Sequence, residues 1–153
     1  LAVHQGARAR CGLAWLSVTQ GVVQLAECTQ AELGTWLARI APSELIYSAG
    51  ITQRFEEQLN QLRQGGAFAC PMNLRPDWQF DAALGQRKLL EHLGAASLQA
   101  WNAEGLADAH AAAAALLQYA EHTQGRTLTH VHGVRVQQGG AVGGRLQLGK
   151  NLS

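Results

Sequence analysis

Charged residues are scarce in this chain. Asp, Glu, Lys and Arg make up 15% of its 153 residues, against about 25% in typical globular domains, and the formal net charge is +1. A protein that binds nucleic acid by itself usually carries a clear basic excess, so strong DNA binding by this chain alone is disfavoured. Two explanations of the low charge stay open: other domains cover part of the surface, or the exposed surface is simply rich in Ala and Gln.

Apolar runs of membrane length and a disulfide framework are also missing. A membrane-spanning helix needs about 18 or more consecutive apolar residues, and the chain contains no such run. The first residues also lack the apolar core of a signal peptide. Three cysteines are too few, and odd in number, for a disulfide scaffold, which predicts a reducing, cytoplasmic compartment. The chain begins at Leu1 rather than at Met, which indicates a fragment or a processed product.

Glycine-rich nucleotide-binding loops are absent as well. No GxxxxGK[ST] segment occurs, so no phosphate cradle of the P-loop type is expected. The first glycines fall in turns between predicted strands rather than between a strand and a helix, so dinucleotide binding is not supported either. We therefore expect no cofactor in this chain.

The first part of the chain is predicted to form three antiparallel strands. Residues 1–5, 11–18 and 22–27 are rich in β-forming side chains, and Thr19-Gln20-Gly21 is a turn signal between the last two. Two cysteines of this region, Cys11 and Cys28, are expected near each other across the hairpin. We interpret them as small, buried apolar side chains.

From residue 29 onward, the spacing of apolar residues changes from that of a strand to that of a helix. Thr29 and Glu32 form a capping-box pattern, and an apolar stripe follows them. Its members lie at helical spacing: Leu33, Trp36, Leu37 and Ile40. Pro42 ends this predicted first helix.

Strands and helices alternate from there on. Short apolar runs at 44–48 and 67–71 predict strands. A second helix between them is marked by apolar residues at helical spacing and by two closing glycines: Ile51, Phe55, Leu59, Leu62, Gly65 and Gly66. Asp81 is the predicted N-cap of a third helix over residues 82–93, which Gly94 ends.

A longer, Ala-rich helix is predicted over residues 104–123, and the segment after it is extended in character. Three antiparallel strands followed by alternating helices and strands is the order of a ribonuclease-H-like fold. We therefore predict an α/β protein with a mixed sheet flanked by helices.

Four segments carry a family resemblance. They are LAWLSVTQGVVQLAE at 13–27, PSELIY at 42–47, RPDWQF at 75–80 and LLQYAEHTQ at 116–124. In this order they resemble LDISSGRFRLTE, PAELLY, RPxWEF and LLQYAKDTQ of the connector domain of the MutS family of bacterial DNA mismatch-repair proteins. The last segment is the most specific match.

Departures from the family pattern lie near the C-terminus. Thr129 stands where the family usually has Pro. The junction motif DxxTxRNLEL is represented only by Asn151-Leu152, with Arg145 in place of the Asp.

The resemblance implies a non-catalytic module that relays between the mismatch-binding and ATPase parts of MutS. Residues 1–103 would be the connector domain, and residues 104–153 a long helix and an extended junction leading toward the core domain. The implied partners are MutL and the other domains of MutS, with mismatched DNA bound only through the full-length protein. ATP and Mg would act in the ATPase domain of that protein.

A docking surface for MutL is implied on the third predicted helix. Its apolar side is expected to face the core through three leucines: Leu89, Leu90 and Leu93. Its other side carries Gln86, Arg87, Lys88 and Glu91, which present charges of both signs. An ordinary solvated helix face has the same composition, and that alternative stays open.

The rival function is that of a stand-alone, divergent ribonuclease-H-like nuclease. Two-metal hydrolysis needs several carboxylates around the cations. No acidic residue precedes Glu27, and the aspartates, Asp77, Asp81 and Asp108, fall in loop or helix contexts. We therefore assign no catalytic residue.

Structural roles are also favoured for the histidines and tryptophans. A metal site formed by His122, His130 and His132 is less favoured than a polar strand face near a domain junction. The tryptophans are expected to be structural, with Trp15 and Trp36 in the core, Trp78 pinning its loop and Trp101 packed under the long helix.

Overall fold

The structure, a computed structural model, describes residues 1–17, 19–101, 103–123 and 131–137. Its strands are β1 (Ala2–Gln5), β2 (Arg10–Ser17), β3 (Val22–Thr29), β4 (Leu45–Ser48), β5 (Met72–Arg75) and β6 (Gly133–Val136). Its helices are α1 (Leu33–Ile40), α2 (Gln53–Gln64), α3 (Ala82–Leu93) and α4 (Ala107–Thr123). In this part of the chain no helix is long and apolar enough to cross a membrane.

The six strands form one mixed sheet in the order β5-β4-β1-β2-β3-β6. The chain first runs through β1, β2 and β3 as an antiparallel meander. The later strands add in parallel, β4 beside β1, β5 beside β4 and β6 beside β3. The predicted α/β class and the ribonuclease-H-like order are thereby confirmed.

The local signals at the element ends act as predicted. Gly21 closes the β2–β3 hairpin with a positive φ of 68°, and its N–H donates to the Ser17 carbonyl at 2.8 Å. The side chains and backbone N–H groups of Thr29 and Glu32 form a reciprocal capping box ahead of α1. Asp81 accepts a hydrogen bond from the N–H of Leu84 at the start of α3.

The sheet is buried on both faces, and each face has its own apolar core. The α1–α2 cluster includes Val3, Leu13, Leu37, Phe55 and Leu59. The α3–α4 cluster lies on the other face and is built mainly from α4 and the strands below it: Ala14, Leu25, Ile46, Leu89, Ala113 and Leu117. Alternate residues of β2 and β3 enter opposite clusters, as the two-residue period of a strand requires.

Helix α4 is the most deeply buried helix of the described chain. It packs on β1, β2 and β3 with one side and on α3 with another. Every residue from Ala109 to Leu117 is buried. Its run of alanines allows this, because small side chains let neighbouring backbones approach on several sides of one helix.

Two predicted boundaries are wrong. The apolar run at 67–71 is not a strand, since β5 begins only at Met72. Phe68 and Cys70 are buried in the α1–α2 cluster from loop positions, so their apolar character signals burial and not strand pairing. The long helix begins at Ala107 rather than at 104, after Gly105 with a positive φ of 81°.

Other predictions about the C-terminal part have mixed outcomes. The extended character after the long helix is confirmed over β6, whereas residues 124–130 and 138–153 lie outside the described residues. The departures from the family pattern at Thr129, Arg145 and Asn151 therefore fall outside them as well. The division of the chain between residues 103 and 104 stays a prediction.

Candidate docking surface

Helix α3, which carries the predicted docking residues, approaches α4 very closely. A Cβ atom at Gly85 would lie 1.7 Å from the carbonyl oxygen of His110 and 3.1 Å from the amide nitrogen of Ala114. Both are backbone atoms and cannot rotate away. Only glycine therefore fits at this crossing, and the crossing determines how α3 lies on α4.

The apolar side of α3 faces the core as expected. Leu89 is fully buried, and Leu90 and Leu93 are half-buried against the α3–α4 cluster. On the opposite side Arg87 and Glu91 are exposed. The helix is therefore amphipathic, with a charged face turned toward solvent.

Lys88 and Gln86 are less available than the sequence suggests. Both are half-buried, and the Lys88 ammonium donates to the two carboxylate oxygens of Glu121 in α4 at 3.0 and 3.3 Å. The Nε2 atom of His92 lies 3.8 Å from the same carboxylate. Glu121 could not be recognised as the partner of Lys88 from the sequence, because it lies more than thirty positions away, on another helix.

A second surface feature lies within the segment 66–80, the strand-edge and loop segment that is the next docking candidate from the sequence if α3 is not the site. Leu74 on β5 and Trp78 in the turn after it are 55% and 66% exposed. We call these two side chains the β5 patch. Among the described residues β5 is an edge strand of the sheet, so its outer backbone groups have no neighbouring strand there. Exposed tryptophan beside an open strand edge is a common feature of interaction surfaces.

The prediction that Trp78 pins its loop is wrong. The loop is held by its neighbours instead: Asp77 accepts from the Ser48 hydroxyl at 2.9 Å, and Arg75 Nε donates to Gln79 at 3.1 Å. Phe80 is buried below them. Polar groups and Phe80 thus hold the loop, and Trp78 is left facing outward.

The burial of the other three tryptophans agrees more closely with the prediction. Trp36 is 4% exposed, and Trp15 is half-buried beside it with an edge-to-face ring distance of 6.5 Å. Trp101 is half-buried against the α3–α4 cluster.

The carboxylates relevant to a nuclease have structural partners. Glu27 accepts from the backbone N–H groups of Asp108 and Ala109 at 2.9 and 3.2 Å, and so caps the start of α4. The Asp108 carboxylate lies 3.8 Å from His4 Nε2. Burial lowers the pKa of His4, although the nearby carboxylates, Asp108 above all, oppose that shift.

Within the described ranges, no three or more His, Cys, Asp or Glu side chains are grouped so that they could hold a metal ion. His130 of the histidine set lies outside these ranges. The nuclease alternative thus gains no support from the described residues.

The cap supplied by Glu27 leads to a stability prediction. Glu27→Ala should lower the free energy of unfolding by about 1–2 kcal/mol, because two helix N-terminal N–H groups lose a charged acceptor. Urea unfolding followed by circular dichroism measures the change. The control Glu57→Ala, at an exposed position of α2, should stay within about 0.5 kcal/mol. Equal effects of the two substitutions would contradict the capping role.

The comparison with protein families agrees with this architecture. A family model for MutS domain II matches residues 1–132 of the chain. The matched range contains β1 to β5 and all four helices, including α3 and the β5 patch. This chain therefore belongs to the MutS family of DNA mismatch-repair proteins, as their domain II, the connector domain.

Proposed function

We propose that this connector domain relays displacement between the mismatch-binding and ATPase parts of MutS and offers MutL a docking surface on α3. In this proposal the domain works in the cytoplasm and holds no cofactor, while ATP and Mg act in the ATPase domain of the full-length protein. Mismatched DNA is bound only through that protein. The observation that carries the proposal is the rigid attachment of α3, whose charged face is exposed.

A relay requires a body that transmits displacement instead of absorbing it. Three contacts support this property. Gly85 lies directly against the α4 backbone, Lys88 is paired with Glu121 about one turn further along α3, and α4 itself is buried against three strands. A force applied to α3 would thus be passed to α4 and the sheet, because α3 is in close backbone contact with α4 at Gly85 and α4 is packed against the sheet.

The charged face of α3 supports the docking part of the proposal. Arg87 and Glu91 are exposed and would contact MutL directly. Lys88 would act mainly by holding the helix in place through Glu121. Gln86, half-buried and next to Arg87 on the helix, would form the edge of the contact.

The docking prediction is tested by charge reversal. The double variant Arg87→Glu, Lys88→Glu should slow association with MutL from the same source by about one order of magnitude. Arg87 is an exposed interface charge, and such charges act mainly on the association rate, while Lys88→Glu also removes the bond that holds the helix to Glu121. The loss should shrink as salt is added. Surface plasmon resonance at several salt concentrations measures both effects.

A matched control separates docking from net charge. Arg54→Glu, Arg63→Glu makes the same charge change at two exposed positions of α2, on the other face of the sheet. It should leave association with MutL nearly unchanged. If both double variants slow association equally, the effect is one of overall charge and the α3 site is wrong.

The β5 patch is the second candidate for the docking site, within the segment 66–80. Its support is the exposure of Trp78, the residue type most enriched among binding hot spots. Trp78→Ala would then raise the dissociation rate strongly, whereas the α3 double variant would bind like the parent chain. If neither substitution changes binding, the docking proposal fails for both surfaces.

A further inference from the structure

Two thiols are in direct contact inside the sheet. Cys11 of β2 and Cys28 of β3 are partners in the antiparallel register, and their Sγ atoms are 3.4 Å apart. Both are free and buried, at 0% and 2% exposure. The prediction that they lie near each other across the hairpin is confirmed. At this distance the two thiols form a sulfur–sulfur hydrogen bond.

The backbone already has the spacing that a disulfide needs. Directly opposed residues of an antiparallel pair have Cα atoms about 4.5–5.5 Å apart, within the roughly 4.4–6.8 Å that disulfides span. The sulfurs must approach from 3.4 Å to bonding distance, about 2.05 Å. Rotation of the side chains supplies most of that movement, so the strands can stay paired.

The environment of the pair shifts the pKa values of the two thiols in opposite directions. The hydrogen bond from the Cys11 thiol lowers the pKa of Cys28, and the same bond, reinforced by burial, raises the pKa of Cys11. When Cys28 ionises, the Cys11 thiol in contact with it can donate a hydrogen bond to its sulfur. The pair lies beside exposed Arg10, at the end of the hairpin away from its turn.

We propose that Cys11 and Cys28 are an oxidation site at which a hydroperoxide converts the two thiols into a cross-strand disulfide. With hydrogen peroxide, the Cys28 thiolate attacks one oxygen and the O–O bond breaks. The attacked oxygen becomes the hydroxyl of a sulfenic acid, and the departing hydroxide takes up a proton to become water. The Cys11 sulfur then attacks the sulfenic sulfur, forming the S–S bond and releasing a second water. With hydrogen peroxide, two thiols and one peroxide give one disulfide and two waters, and two electrons pass from sulfur to oxygen.

The disulfide would act as a reversible clamp on the β2–β3 hairpin. It joins residues that are far apart in the unfolded chain but already paired in the sheet, so it restricts mainly the unfolded state. The pair faces the α1–α2 cluster, whereas α3 lies on the other face of the sheet. Oxidation is therefore expected to change stability and to leave the α3 face as it is. This inference does not depend on MutL docking.

The test uses Cys70→Ala, which leaves only the two thiols of the pair. After incubation with hydrogen peroxide, the protein is unfolded in the presence of an alkylating reagent and weighed by intact mass spectrometry. We expect the oxidised chain to take up no alkyl group and to weigh two hydrogens less than the reduced, unalkylated chain. Reduction should restore both thiols to alkylation. Peptide mapping of the unsubstituted chain gives the same information if Cys70→Ala folds poorly.

Two controls keep the proposal falsifiable. In the Cys70→Ala chain, Cys11→Ser and Cys28→Ser each leave one thiol. Neither variant should form a disulfide within one chain, so neither should lose two hydrogens. The oxidised protein should also unfold at a higher urea concentration than the reduced protein, and reduction should reverse the shift. The proposal is overturned if the folded protein keeps both thiols under conditions that oxidise the urea-unfolded chain, or if only disulfides between chains form. A lower urea midpoint after oxidation would overturn the clamp.

Discussion

Replacing Trp36 by Ala is expected to lower the free energy of unfolding by about 3–5 kcal/mol, the usual cost of removing a large buried aromatic side chain. Trp36 is 4% exposed within the α1–α2 cluster, and its ring packs edge-to-face against Trp15 at 6.5 Å. The guanidinium of Arg39 lies 5.0 Å from the ring centroid. The substitution removes apolar burial, an aromatic pair and a cation–π contact together.

Trp78→Ala is the matched control, because it removes the same side chain from a site that is 66% exposed. It should change stability by about 1 kcal/mol or less. Circular dichroism in urea is the suitable measurement, since both substitutions alter tryptophan fluorescence directly. A loss below about 1 kcal/mol for Trp36→Ala would show that the stripe of α1 does not carry the core.

Gly85→Ala is expected to destabilise the domain by about 1–3 kcal/mol or more, as overpacking of a tight contact does. Helix propensity alone predicts the opposite sign, a gain of about 1 kcal/mol for Gly→Ala inside a helix. The difference arises because the new methyl group would lie 1.7 Å from the His110 carbonyl oxygen. Helix α3 must move away from α4 to admit it, and the docking face moves with the helix.

Gly34→Ala provides the comparison for this prediction. Gly34 also lies in a helix, α1, but its added methyl group would meet only the Cδ2 atom of Leu62, at 2.8 Å, the end of a flexible side chain. That substitution should be close to neutral in urea unfolding. If the two alanine variants have the same stability, the α3–α4 crossing is looser than the structure indicates. If Gly85→Ala also weakens MutL binding while Gly34→Ala does not, the proposed link between helix position and docking gains support.

Some features could be predicted because their causes lie within a few residues of one another. The capping box at Thr29 and Glu32, the turn at Gly21 and the N-cap at Asp81 each join near neighbours in the chain. The amphipathic character of α3 follows in the same way from its spacing of leucines. These signals, with the order of the elements, suffice for an α/β domain of ribonuclease-H-like order. The family was indicated separately, by four segments that resemble its connector domain.

The docking surface was only partly predictable. Arg87 and Glu91 are exposed as the helical period requires, but Lys88 is held by Glu121. The outward position of Trp78 depends on bonds that Asp77 and Arg75 make with other residues. Periodicity identifies which side of a helix faces solvent, but it contains no information on which distant side chain neutralises a charge.

The sequence by itself determined the class of the fold and the caps and turns that bound its elements, because local hydrogen bonds and apolar spacing act over a few residues. Four of its segments, by their resemblance, also indicated the family. Only the tertiary structure decided that β5 begins at Met72, that Gly85 is the contact point of α3 with α4, and that Cys11 and Cys28 touch at 3.4 Å. Each of these depends on how close two elements approach after the whole core has packed. That distance is set by the combined volume of many side chains, and no single segment of sequence specifies it.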